Sequence, residues 1–530
     1  MKRFVFRVDS SFEIGSGHLI RCRSLAYELK NQGAEIFFIT KNLEGNLINL
    51  INNEFFTYEI TSDKNYSAIE KKNYQCNYYK NLKSTQEEDA IKTLEILDSK
   101  INKVIDWIVI DHYSIDSTWS DFIKNSKSNY LKTVKFFVID DLINRSLKAD
   151  ILLNQNFQRE NIFQKYKKIL SVKSKILIGP KFSLLSKDYA KLHKCAKIRI
   201  SITNILVYFG GVDKENYTLE VINKLKSFEL KKIKVFIVIG NQNKNKVSIY
   251  KSIKYIRNFH IYIQLKSIAE LMLESDLYIG SSGTTTVERF CLGLPSMVKA
   301  ISPDQIEIIK SLENSKLTKS FEFNNFEKIL REFFDNKNLL SSMSGLNLSL
   351  NDGLGTKRLC LNLLLNFFPL KIRDACISDL QLLYNWVNEK RVRKFSFNKN
   401  KISEKEHKNW LQNSLNDMDK YIFIITNPYD LPIAQTRFEK RGEILKIDIS
   451  IDKEYRGNNL ATNILKLAFL EISKKFNSKI YVIAEIKKEN EASIKAFKNL
   501  KYYEKIFDKK EIKFIFKFDL SNKDLLNYLI

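Results

Sequence analysis

The sequence predicts an α/β protein of two lobes built on parallel sheets, followed by a smaller α+β domain. Three features carry that expectation. Short apolar runs at residues 4–8, 107–110, 205–209 and 277–279 have the continuous hydrophobicity of strands buried on both faces, and each leads into a turn rich in Gly, Asp or Ser. Helical spacing follows the first run, with Leu19, Cys22, Leu25, Ala26 and Leu29 on one stripe. After Pro369 the rhythm becomes an alternation, with Leu445, Ile447, Ile449 and Ile451 on one face and Lys446, Asp448, Ser450 and Asp452 on the other.

The first lobe is placed at residues 1–195. Its opening unit is a strand over 4–8, a helix from Leu19 that ends at Gly33, and a strand over 34–40. A strand–helix–strand unit predicts parallel strands with a right-handed crossover. A polar, irregular stretch over 61–88 and a helix near 90–99 follow. Strand 107–110 ends in Asp111-His112-Tyr113, strand 136–139 in Asp140-Asp141, and strand 151–153 in Asn154-Gln155-Asn156. Polar residues at the carboxyl ends of parallel strands are where ligands lie in open α/β sheets.

The second lobe is placed at residues 196–368. Strand 205–209 leads into Gly210-Gly211-Val212-Asp213, and a strand over 235–239 follows. Strand 277–279 leads into Gly280-Ser281-Ser282-Gly283-Thr284-Thr285, then a short helix with Val287, Glu288 and Phe290 that Gly293 closes. The sheet resumes over 294–298, and helical, polar sequence runs to about 368. The third domain spans 370–530. Its predicted elements are a helix over 380–388, strands over 421–425, 433–438 and 445–451, a helix through Ile464, Leu467 and Leu470, a strand over 480–484, a helix capped by Asn490, and strands over 502–507 and 512–518.

At 530 residues the chain is too long for one core. Its 44% hydrophobic and 12% aromatic content fit a folded protein. A net charge of +26 would suit nucleic acid or an anionic membrane, but the lysines are scattered rather than clustered, so neither partner is expected. Cys22, Cys76, Cys195, Cys291, Cys360 and Cys376 have no paired spacing, which argues against disulfides and zinc and predicts a reducing, cytoplasmic setting. Met1-Lys2-Arg3 runs straight into a strand pattern, so no signal peptide is expected, and no apolar run reaches the roughly 18 residues that span a membrane.

Gly15-Ser16-Gly17-His18 sits where the first strand hands over to its helix. Free N–H groups and the positive dipole end favour an anionic ligand there. A dinucleotide fingerprint would need a third glycine where Ile20 stands and an acid where Thr40 stands, so a nicotinamide site is not expected. A neutral His18 imidazole could take a proton near neutral pH; the alternative is a histidine that only hydrogen-bonds within the turn. The turn from Gly280 to Thr285 offers N–H and hydroxyl groups to a pyrophosphate, and Glu288, one helical turn on, could accept hydrogen bonds from a ribose. The alternative there is an ordinary Ser/Thr helix cap.

Arg7-Val8-Asp9, Ile14-Gly15-Ser16-Gly17-His18 with Arg21-Cys22, Asp111-His112-Tyr113, Asn154-Gln155-Asn156, Phe209-Gly210-Gly211-Val212-Asp213 and residues 283–295 together resemble one family. It is the UDP-2,4-diacetamido-2,4,6-trideoxy-β-L-altropyranose hydrolase of pseudaminic acid biosynthesis, and the resemblance covers roughly residues 1–365. It implies two Rossmann-like lobes in a GT-B-like fold, with UDP held mainly by the second. It also implies hydrolysis at the anomeric carbon with inversion, water standing where a glycosyltransferase would bind its acceptor. His18 matches the family's base and Tyr113 lies in its second active-site motif. By the same resemblance Asp9, Gly15, Gly17, Arg21, Gly210, Gly211, Asp213, Ser282, Gly283, Thr284, Thr285 and Glu288 are expected on the substrate, with Asp9 and Asp213 orienting the sugar. UDP is a good leaving group that needs charge stabilisation more than a proton, so helix N-termini suffice, no metal is expected, and the carboxylate pair of most glycosidases need not appear.

The third domain resembles the GNAT acetyltransferases. Their acyl-CoA turn, Arg/Gln-x-x-Gly-x-Gly/Ala, reads here Arg456-Gly457-Asn458-Asn459-Leu460-Ala461, with Asn459 in place of the glycine. Asparagine tolerates left-handed backbone angles better than most residues. Asn490 resembles the start of the later segment that flanks the pantetheine, and Phe497 stands where many members place a tyrosine acid, which leaves the general acid open. Asp448 or Ser450 is expected to orient the amine or a water; the alternative is a degenerate domain with a structural role.

The resemblances together imply a bifunctional enzyme. Acetyl-CoA would acetylate the 4-amine of a UDP-sugar, and the first two lobes would then release UDP and the free sugar. A UDP-sugar glycosyltransferase with an appended acyltransferase is the nearer alternative. A nucleic-acid-binding or regulatory protein is the distant one, and it lacks the basic stripe with interleaved aromatics that such binding requires. Oligomeric state is left open.

Overall fold

The computed structural model describes the chain except residues 62–78, 158–160, 229, 231, 241–242, 266, 365–369, 428–429, 457–459, 477, 502, 509–512 and 530. The chain forms two compact units, 1–360 and 361–530, and the division falls within the helix Gly355–Leu364.

The first sheet holds β1 (Arg3–Val8), β2 (Glu35–Lys41), β3 (Phe56–Ile60), β4 (Trp107–Asp111), β5 (Lys135–Ile139), β6 (Ile151–Asn154) and β7 (Lys175–Ile178). Its spatial order is β3-β2-β1-β4-β5-β6-β7, with every neighbouring pair parallel. Phe4, Val5, Phe6 and Val8 of β1 are fully buried, as a strand covered on both faces requires. The helix Gly17–Asn31 buries the predicted stripe Leu19, Cys22, Leu25, Ala26 and Leu29, each leucine contributing roughly 1.5–3 kcal/mol of apolar burial. The order reverses between β1 and β4, and such a reversal opens a crevice at the carboxyl ends of the two strands.

The second sheet repeats the design with β8 (Asn204–Tyr208), β9 (Lys234–Ile239), β10 (Phe259–Ile263), β11 (Leu277–Ser281), β12 (Ser296–Lys299) and β13 (Lys319–Ser320). Its order is β10-β9-β8-β11-β12-β13, again all parallel, and the reversal lies between β8 and β11.

The third sheet is mixed. It holds β14 (Lys371–Asp374), β15 (Lys420–Thr426), β16 (Pro432–Arg441), β17 (Ile444–Ile451), β18 (Tyr481–Lys487), β19 (Glu504–Asp508) and β20 (Lys513–Asp519), in the order β14-β15-β16-β17-β18-β20-β19. β17 and β18 are its parallel pair, and the other neighbours are antiparallel. The helix Leu460–Ser473 packs Leu465, Ala468 and Phe469 on Leu445, Val482, Phe516 and Phe518 of one face.

Several elements differ from the sequence expectation. The helix expected near 90–99 begins earlier, at Gln86–Ile96, because Thr85 and Glu88 exchange side-chain and backbone hydrogen bonds in a capping box. Most of the expected irregular stretch before it, 62–78, lies outside the described residues. Gly280 and Ser281, expected in a turn, are the last residues of β11. The edge strands β3 and β10 are only partly buried, and polar residues (Thr57 and Glu59 in β3, His260 in β10) break their apolar sequence, so the sequence expectation does not include them. The two-residue β13 interrupts a stretch expected to be helical. On β17, Lys446 and Asp448 are exposed as predicted, but Ser450 is buried.

Candidate active site

The reversal in the first sheet brings the turn after β1 against the end of β4. Gly15, at φ 82°, lets the turn fold back so that its N–H bonds Ser11 O at 2.8 Å and the helix can start at Gly17. His18, in the first turn of that helix, lies with Nδ1 2.6 Å from Oδ1 of Asp111, the last residue of β4. Arg21, one helical turn on, grips both Asp111 oxygens at 2.6 Å. Burial alone would raise the Asp111 pKa, but the Arg21 guanidinium and His18 outweigh it and hold the carboxyl well below the usual range. An ionised carboxylate only accepts, so Nδ1 carries the hydrogen and the neutral ring keeps its lone pair on Nε2. Tyr113 meets the imidazole edge-on, with ring centroids 4.5 Å apart.

Asp141 completes the cluster from the end of β5. Its Oδ2 accepts from Asn156 Nδ2 at 3.0 Å and lies 3.8 Å from Arg21 Nη1. Its Oδ1 is buried with no hydrogen-bond partner among the described residues. Burial raises the Asp141 pKa, with Arg21 opposing, and burial followed by Asp141 itself raises the Tyr113 phenol. The sequence places Asp111 and Asp141 at strand ends, with no role read for either. A carboxylate closing a buried parallel strand beside the reversal is the signal that marks them.

Two expected substrate contacts have partners within the protein. Asp9 is fully buried and accepts from Arg7 Nη1 at 2.6 Å, Arg7 Nη2 at 3.0 Å and the Lys41 N–H at 2.7 Å, while His112 Nε2 lies 3.2 Å away. Its oxygens are committed to the core, so it does not orient a sugar. Arg21 holds Asp111 through Nε and Nη2, so it positions the histidine's partner.

The second lobe presents its own reversal to the first. A Cβ added to Gly17 would stand 2.7 Å from Thr284 Cγ2, so the turn after β1 and the turn after β11 touch. Gly283 and Thr284 are exposed at the start of the helix Thr285–Leu292, with no side chain capping its first N–H groups. Ser282 Oγ pairs with Thr286 Oγ1 at 3.2 Å, and Thr285 Oγ1 lies 3.4 Å from the Tyr278 hydroxyl. Glu288, on the same helix, is raised to about 7 by burial, with Tyr189 and Arg289 opposing. After β8, Gly210 takes φ 94° and Gly211 follows it with open space beside its Cα. Asp213 accepts from the Tyr217 and Thr218 N–H groups at 2.9 and 3.0 Å, so it caps the helix Tyr217–Lys226. Among the described residues no three His, Cys, Asp or Glu side chains cluster as a metal ion would need.

In the third domain the registered pairs between β17 and β18 cover only Ile444 to Lys446 against Tyr481 to Ile483, although both strands continue. Gly457, Asn458 and Asn459 of the expected acyl-CoA turn lie outside the described residues. Arg456, at the head of that turn, pairs with Glu389 through Nη1 at 3.0 Å and donates from Nε to Ile451 O at 2.7 Å. Leu460 is buried at the start of the helix Leu460–Ser473, with Ala461 half-buried next to it. Asn490 caps the helix Glu491–Lys498 by accepting from Ser493 N. Phe497 is packed in the core, its ring 6.0 Å from that of Phe516. Asp448 is ion-paired with Arg437, whose guanidinium lies 5.2 Å over the Trp410 ring.

Residues 370–502 match the family model described as acetyltransferase (GNAT) domain. The chain is 26% identical over 438 residues to an uncharacterised protein of Methanocaldococcus jannaschii, covering 79% of this chain and 80% of that one. It is 27% identical over 291 residues to the UDP-2,4-diacetamido-2,4,6-trideoxy-beta-L-altropyranose hydrolase of Campylobacter jejuni, covering 55% of this chain and 88% of the relative. Among solved structures, Acinetobacter baumannii MurG aligns with 13% identity and a TM-score of 0.46, over 68% of this chain and 99% of MurG. The chain is therefore a homologue of the altropyranose hydrolase that carries a GNAT acetyltransferase domain at residues 370–502.

Proposed function

We propose that the chain performs two consecutive steps on one UDP-sugar. The GNAT domain transfers acetyl from acetyl-CoA to a 4-amino group. The first unit then hydrolyses UDP-2,4-diacetamido-2,4,6-trideoxy-β-L-altropyranose to UDP and the free sugar with inversion. The observation that carries the hydrolytic half is the His18–Asp111 pair at one sheet reversal, with the uncapped helix start of the second lobe against the same turn. Water is activated by His18 Nε2, which takes its proton as the water oxygen attacks the anomeric carbon. The bond from that carbon to the diphosphate oxygen breaks, and its electron pair leaves with UDP. N–H groups at the start of the helix Thr285–Leu292 stabilise the departing charge. Asp111 keeps the imidazole in the competent tautomer and stabilises it once protonated. In the acetyltransferase domain, backbone groups beyond Lys446 and Ile483, where the ladder ends, fit the amides of the acetyl donor's pantetheine.

The deciding assay supplies the UDP-linked 4-amino sugar with and without acetyl-CoA and follows UDP release and the mass of the sugar. Free diacetamido sugar that forms only with acetyl-CoA is the expected result. UDP release that requires an added sugar acceptor would replace hydrolysis with glycosyl transfer. Release from a pre-acetylated substrate without any acetylation would leave the hydrolytic half alone.

Glu288 supplies a second check. Its carboxyl, near 7, titrates where binding is measured, and only the carboxylate accepts two ribose hydroxyls at once. UDP affinity is expected to rise from about pH 6 to about pH 8 as the carboxyl ionises. Glu288→Gln should flatten that profile and weaken UDP about tenfold, the size of one charged hydrogen bond. Calorimetric titration across pH reads both, and an unchanged profile in the variant removes Glu288 from the site.

A further inference from the structure

On the polar face of the third sheet, three cations converge on one exposed ring. Phe397, 55% exposed, follows the helix Lys390–Phe395. Nζ of Lys446 on β17, Lys487 on β18 and Lys513 on β20 lie 5.9, 5.3 and 5.9 Å from its ring centroid. One carboxylate serves two of them, Glu485 at 2.7 Å from Lys446 and 3.4 Å from Lys513. Lys487 donates to Ser396 O at 2.6 Å, which ties the Phe397 segment to β18. Among the described residues Glu485 is the carboxylate that meets Lys446, and the partly exposed Lys487 adds a second ammonium group, so the open edge of the cluster is positive. An apolar ring held in water within a ring of cations contributes little to a core.

We propose that this cluster holds the nucleoside-diphosphate part of the amine acceptor, the base stacking on Phe397 and the diphosphate lying on Lys446 and Lys487. The inference rests on the reading that the domain acetylates a nucleotide-linked amino sugar. An exposed aromatic face stacks any base, and clustered cations bind a diphosphate by charge-assisted hydrogen bonds. Coenzyme A also carries a nucleoside diphosphate, but the helix Leu460–Ser473, whose start follows the expected acyl-CoA turn, packs on the opposite face. Asp448 stands two residues from Lys446 on the same face of β17, about 7 Å along the strand, which leaves room for a sugar between diphosphate and amine.

The first test is a lysine footprint on the full-length protein, using an amine-acylating reagent read by mass spectrometry, with UDP or coenzyme A as probe. UDP should protect Lys446 and Lys487 several-fold while coenzyme A leaves them reactive. Protection by coenzyme A instead, or by neither probe, overturns the proposal. Since the UDP site of the first unit contains none of these lysines, the footprint reads the cluster independently of any activity. The second test is kinetic. Phe397→Ala and Lys446→Ala should each raise the acceptor KM about tenfold, the size of one stacked base or charged contact, with acetyl-CoA KM unmoved. A rise in acetyl-CoA KM assigns the cluster to the donor and overturns the proposal. Wild-type protein that acetylates no nucleotide-linked amine while the UDP footprint persists overturns the acceptor assignment and the acetylation reading, and leaves a nucleotide site of another purpose.

Discussion

His18→Ala is expected to slow UDP release by about 10²- to 10⁴-fold, the usual contribution of a positioned general base. Asp111→Asn should cost as much, on the order of 10⁴, for a different reason. The ionised Asp111 carboxylate forces the proton onto Nδ1, whereas an amide can donate to Nδ1 and leave the proton on Nε2, where it blocks proton abstraction. The two losses should not add in the double variant, because both remove one function. Steady-state UDP release from the acetylated substrate measures all three proteins, with circular dichroism confirming the fold. A His18→Ala protein within tenfold of wild type would end the assignment of His18 as base.

Arg7→Met should destabilise the first unit by about 3–5 kcal/mol, as removing one partner of a buried ion cluster does. Arg7 is fully buried and bridges two carboxylates. It donates to both oxygens of Asp9, and to Asp89 from Nε at 2.9 Å and Nη2 at 2.7 Å. Lys41 lies 3.0 Å from Asp89, and Trp119 Nε1 donates to it at 2.9 Å. Removing the guanidinium leaves two buried carboxylates with one ammonium. Urea unfolding of the full chain, followed through its first transition, measures the loss. The same network sets the acid limit. Burial alone would raise Asp9 and Asp89, but Arg7 outweighs it and both sit below their ordinary value in the fold. The unfolded chain therefore binds more protons below about pH 4, so the stabilisation present above that pH is lost as pH falls through the folded values. Arg7→Met should lose less stability on acidification than wild type, since it has already lost the interaction that depresses both carboxyls.

Much of the candidate site is legible in the sequence because it sits in short turns of unusual composition. His18 and Tyr113 were named from Gly15-Ser16-Gly17-His18 and Asp111-His112-Tyr113, and the structure brings their rings together. Asp9 and Asp213 belong to two further motifs, Arg7-Val8-Asp9 and Phe209-Gly210-Gly211-Val212-Asp213, and there one carboxylate is bound by Arg7 and the other serves a helix cap. A motif gives residue types and spacing but not which neighbour satisfies a carboxylate. Ser450 was placed on the polar face by its period of two, which describes direction and not what covers the strand.

The sequence by itself determined the parallel α/β character of the first two lobes, since short apolar runs such as 107–110, each ending in a polar turn and alternating with helical spacing, fit strands covered on both faces. It also determined the alternating strand of the third domain and the glycine turns that begin the helices of both lobes. Only the tertiary structure decided that Asp111 holds His18, that Thr284 meets Gly17 and that Phe397 stands among Lys446, Lys487 and Lys513. Those partners lie tens to hundreds of residues apart, and no local pattern encodes them. They meet because the strand order reverses beside β1 and β8, and because three strands of one sheet turn the same face toward a single loop.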